Sequence, residues 1–60
     1  MGGRSFARPP VKGTREQQDR WCAEMRSRGY SVWLIAQRLG VSENRVLRAI
    51  EHVRAGRYDG

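Results

Sequence analysis

Three small polar residues each open an amphipathic run in this chain, and three glycines each close one. Thr14, Ser31 and Ser42 stand where a side-chain oxygen can accept from the free N–H groups of a starting helix. Gly29, Gly40 and Gly56 stand where the backbone must turn out of one. This punctuation predicts three helices: from Thr14 to Gly29, from about Val32 to Leu39, and from Ser42 to about Arg54. No stretch alternates as a strand would, and the connections are very short, so the expected fold class is all-α with three helices.

Each run also has one apolar face. Thr14-Arg15-Glu16-Gln17 fits a capping box, in which Gln17 reaches back to the Thr14 backbone. Behind it, Gln18, Trp21, Cys22 and Met25 fall on one helical stripe, and Glu16–Arg20 and Glu24–Arg28 are i,i+4 pairs in the favourable order. Tyr30 and Ile35 are placed as a hydrophobic staple across the Ser31 cap, and Val46, Ala49, Ile50 and Val53 form the inner stripe of the third helix. The expected core is therefore Trp21, Met25, Ile35, Leu39, Val41, Val46, Ile50 and Val53, with Cys22 packed as a small hydrophobe. That is a thin core. A chain of sixty residues buries only about 60% of its unfolded surface, and a lone cysteine supplies no disulfide. A homodimer, a partner protein or a bound polyanion would add stability.

Composition shifts sharply before the first helix. Residues 1–13 hold both prolines and three basic residues, Arg4, Arg8 and Lys12, with no acid, and Pro9-Pro10 favours an extended path. They are expected to form a disordered, flexible basic arm, with residues 14–55 as the domain and 56–60 as a short tail. Phe6 and Val11 are the only residues able to anchor the arm.

Twelve basic residues oppose six acidic ones, a net charge of +6, and eleven of the twelve are Arg. Such a field attracts polyanions, and Arg is suited to bidentate contact with phosphate and guanine. A GC-rich genome would also favour Arg over Lys.

The segment Ile35-Ala36-Gln37-Arg38-Leu39-Gly40-Val41-Ser42-Glu43-Asn44-Arg45-Val46 resembles the helix-turn-helix signature of bacterial and phage DNA-binding proteins. Ala36 is small where two helices would cross closely, Gly40 can take the left-handed conformation, and Ser42 caps the next helix. The likeness extends to small phage regulators, excisionases and the DNA-binding domains of resolvases and invertases. It implies double-stranded DNA as the partner and the helix at about 42–54 as the reading element. Trp33 and Leu34 depart from the pattern, which usually has polar residues there. They are open to three uses: cover by the arm, a homodimer or partner-protein interface, or contact with a DNA sugar.

With the third helix's inner stripe turned to the core, Asn44, Arg48, Glu51 and Ala55 lie opposite it, flanked by Arg45 and Leu47. A recognition helix meets base edges near its N-terminus. Asn44, Arg45, Leu47 and Arg48 are therefore the expected base contacts, through bidentate pairing with adenine or guanine or a thymine methyl contact. Ser31, Arg38, Ser42, Arg54 and Arg57 are the expected backbone contacts. Arg4, Arg8 and Lys12 resemble the minor-groove arms of homeodomains and invertases.

Catalysis is not expected, because His52 is the single histidine and has no matched nucleophile. No cofactor is expected, nor any metal site, with one Cys and one His. With no apolar span of membrane length, the expected protein is cytoplasmic and nucleoid-associated. It would act as a small transcriptional regulator or a recombination accessory protein. The competing expectation is a protein-interaction module, engaging for example RNA polymerase or a recombinase through Trp33 and Leu34.

Overall fold

A computed structural model describes residues 8–56. Among these residues the chain is all-α, with α1 at Arg15–Ser27, α2 at Val32–Leu39 and α3 at Glu43–Arg54. Arg4, Phe6 and Arg57 lie outside the described residues.

Local chemistry sets each boundary. Thr14 Oγ1 accepts from the Gln17 N–H at 3.1 Å while Gln17 Oε1 accepts from the Thr14 N–H at 2.9 Å, completing the expected capping box. Ser31 and Ser42 likewise accept from the N–H groups of Leu34 and Arg45, at 3.1 and 3.2 Å. α1 closes through Gly29, whose φ of 102° lets the Tyr30 N–H turn back to Met25 O. α2 closes through Gly40 at φ 82°, and the N–H groups of Gly40 and Val41 both donate to Ala36 O, at 2.8 and 3.0 Å. The chain therefore reverses from α2 to α3 in three residues, 40–42.

α3 packs on both other helices and most extensively on α1. The core between them is Trp21, Cys22, Met25, Ile35, Ala36, Leu39, Val46 and Ala49, with Tyr30, Val32, Val41 and Ile50 packed at its edge. Met25, Ile35 and Val46 are sealed from solvent, each contributing about 1.5–3 kcal/mol by burial. Ala36 and Ala49 are buried in the same core, small side chains of the kind that close helix contact favours. Val41, Ile50 and Val53 are only half-buried, so the sealed core is smaller than the apolar pattern suggests.

One carboxylate lies away from the surface. Asp19 is buried within the helical interface. Burial of Cys22 itself pushes its thiol up to about 11, the charge of nearby Asp19 adds to the rise, and Arg45 opposes it. Glu16–Arg20 and Glu24–Arg28 do form on the exposed face of α1, each at 2.7 Å.

Candidate nucleic-acid interface

Because α3 turns Val46 and Ala49 into the core, its opposite face is left to solvent. Asn44, Leu47, Arg48, Glu51 and Arg54 are all exposed there, spaced 3, 4, 7 and 10 residues from the first. At 1.5 Å rise per residue that stripe runs about 15 Å. With Ile50 at its edge it lines a shallow open depression of about 460 Å³. Leu47 is 51% exposed, an apolar spot between polar groups. Among the described residues neither Arg48 nor Arg54 makes an ion pair, whereas Arg20 and Arg28 on α1 are each paired with a glutamate.

Arg45 is placed differently from its neighbours. Half-buried, it points back toward α1, and its Nη2 donates to Gln18 Oε1 at 2.8 Å. Its guanidinium is therefore held against the α1–α3 seam rather than on the outward stripe with Asn44 and Arg48. The capping oxygen of Ser42 sits one turn before it, already accepting the Arg45 N–H. That hydroxyl retains its own proton for a further acceptor, as does Ser31 at the start of α2. The two helix ends differ in charge. Glu43 occupies the first turn of α3, while the first turn of α2 has no acid. An anion is better tolerated at the start of α2.

Arg38 is exposed in the last turn of α2, and Arg8 and Lys12 are exposed before α1. Trp33 is 57% exposed, whereas Leu34 beside it is half-buried, so the expected pair of outward apolar residues reduces mainly to the tryptophan. His52 is half-buried on α3. No group of three His, Cys, Asp or Glu among the described residues is arranged to hold a metal ion.

The residue that sequence reasoning passed over is Gln18. It opens the inward stripe of α1, and its carboxamide faces two ways, accepting from Arg45 and donating through Nε2 to Pro10 O and Val11 O at 3.2 and 3.1 Å. An amide at the head of an otherwise apolar stripe was the visible signal. Its partners, 27 residues away in one direction and eight and seven in the other, were not. No protein-family model, no curated protein and no solved structure matches this chain.

Proposed function

We propose that this chain binds duplex DNA sequence-specifically, with α3 as a recognition helix in the major groove, as a small transcriptional regulator or recombination accessory protein. The observation that carries the reading is the outward stripe of α3, where Asn44, Leu47 and Arg48 stand exposed within its first two turns. Arg48 offers paired donors for the two guanine acceptors, Asn44 a donor and acceptor for adenine, and Leu47 a methyl contact for thymine. The left-handed Gly40 turn and the serine caps of α2 and α3 supply the local parts of a helix-turn-helix unit. Ser31, Arg38 and Arg54 take phosphate contacts, with the acid-free N-terminus of α2 preferred over that of α3. Ser42 is the weaker phosphate donor because Glu43 adjoins it. Arg45 acts chiefly as a brace between α1 and α3, with the rest of its guanidinium turned to the DNA backbone or a neighbouring base.

Selection of bound duplexes from a random-sequence library, followed by gel shift on selected and scrambled DNA, tests this reading. Enrichment of a defined motif is the expected result. Bending of the bound duplex would favour the recombination role over simple regulation.

A second reading rests on Trp33. A tryptophan this exposed is a common anchor of protein interfaces. On that reading the fold is a protein-interaction module, and the selection would yield no motif at all.

A further inference from the structure

We propose that Gln18 is a positioning residue that latches the root of the N-terminal segment to the first turn of α3, giving the arm and the recognition helix one fixed relative placement. The proposal builds on the DNA-binding reading of α3 and adds a determinant outside that helix.

The latch is built from complementary groups. A guanidinium only donates and a backbone carbonyl only accepts, so a side chain joining them must accept at one end and donate at the other. Gln18 does both: Arg45 Nη2 reaches Oε1 at 2.8 Å, and Nε2 reaches Pro10 O at 3.2 Å and Val11 O at 3.1 Å. The segment it holds is itself a turn rather than the extended path expected from Pro9-Pro10. Val11 N–H donates to Pro9 O, and Gly13 N–H to Pro10 O, both at 2.9 Å. Gly13 sits tightly between this turn and the α1 cap. A Cβ built there would collide with Gln17 Oε1 and stand 3.1 Å from Pro10 Cβ. Two features thus converge on one junction: the bidirectional amide and a glycine that admits the close approach.

The consequence is geometric. Arg8 and Lys12, exposed on either side of the latched turn, are carried by the same side chain that holds Arg45 three residues before Arg48. Arg8, Lys12 and the base-reading groups on α3 then present one composite surface to a single duplex, without ordering residues 8–12 at the moment of binding.

Gln18→Glu and Gln18→Met separate the two ends of the latch. The carboxylate keeps an acceptor for Arg45 but loses the donor to the carbonyls; the thioether is neutral, similar in shape, and loses both. Backbone ¹⁵N heteronuclear NOE on the full free chain reads the order of residues 11–13. Both variants should lower it there while leaving α1–α3 values and helicity unchanged. Unchanged NOE at residues 11–13 in both variants would overturn the latch, whatever the DNA result. On the duplex selected with the wild-type chain, Gln18→Met should bind about tenfold more weakly with the same salt dependence, since no charge is lost. Wild-type affinity in Gln18→Met would overturn the positioning role. A wild-type chain that selects no duplex would instead sink the recognition-helix reading and, with it, the role of the latch in binding. The NOE result would still decide whether the latch exists.

Discussion

At Gly40 one residue's backbone decides how α2 gives way to α3. Its φ of 82° lies in the region that L side chains avoid, and an added Cβ would find no atom within 4 Å. The cost of substitution is thus conformational and not steric. Gly40→Val should destabilise the domain by more than about 1 kcal/mol, read as a lowered midpoint in urea unfolding. Gly40→Asn should cost less, because Asn tolerates the left-handed region better. Equal losses would mean that crowding, not backbone conformation, governs the site. Cys22 provides a second test at this scale, through pH. Its folded-state pKa is raised to about 11 from an ordinary 9.0. The native state therefore holds the thiol proton more tightly than the unfolded chain. The associated stability is complete below pH 9 and is lost as pH rises from 9 toward 11. Unfolding midpoints should fall across that window, and Cys22→Ala should flatten the fall. A thiol reagent should label native Cys22 only at the rate of unfolding.

At the scale of elements, what was legible in the sequence is what local chemistry determines. Thr14, Ser31 and Ser42 cap helices within four residues of themselves, and Gly29 and Gly40 close them, so all three helices stand where expected. The outward stripe of α3 follows from 100° steps away from Val46 and Ala49, and was equally readable. Asp19 and the Gln18–Arg45 bond were not, because they depend on how α3 lies against α1. Periodicity describes one helix at a time. Val53 reads as core on the same pattern but lies in the last turn of α3, where it is only half-buried. Arg48 and Arg54 share the exposed stripe yet differ in distance from the α3 N-terminus, and this separates their expected roles. Both substitutions to Ala should leave thermal stability nearly unchanged, because neither side chain has an ion-pair partner among the described residues. Arg48→Ala should weaken the preferred site by about 1–3 kcal/mol and relax one G·C position. Arg54→Ala should weaken preferred and scrambled duplexes alike, as loss of a phosphate contact does. Equal losses on both duplexes for Arg48→Ala would remove it from the reading set.

For the whole molecule the decisive quantity is where the +6 charge lies. Two of the arginines, Arg20 and Arg28, are offset by glutamates on the exposed side of α1. Exposed Arg8, Lys12, Arg48 and Arg54 lie on the segment before α1 and on the outward stripe of α3. Engagement of about six phosphates would give a slope of log K against log salt near −5. Deleting residues 1–12 removes Arg4, Arg8 and Lys12 together, and should flatten that slope by about 2–3 units if all three touch phosphate. The same deletion should preserve the three helices, because α1 is capped by Thr14 and Gln17, both retained, and the sealed core begins at Trp21. It does remove the Pro10 and Val11 carbonyls from Gln18, but that amide end lies at the edge of the core, where water can replace them. Helicity by circular dichroism should therefore stay within a few per cent per residue of the parent, while affinity at low salt falls and converges with the parent's at high salt. That convergence is the signature of lost electrostatic contacts. A constant ratio of affinities at every salt concentration would instead assign the arm a role in orientation alone. A slope near zero in the full chain would mean that its positive charge serves no polyanion.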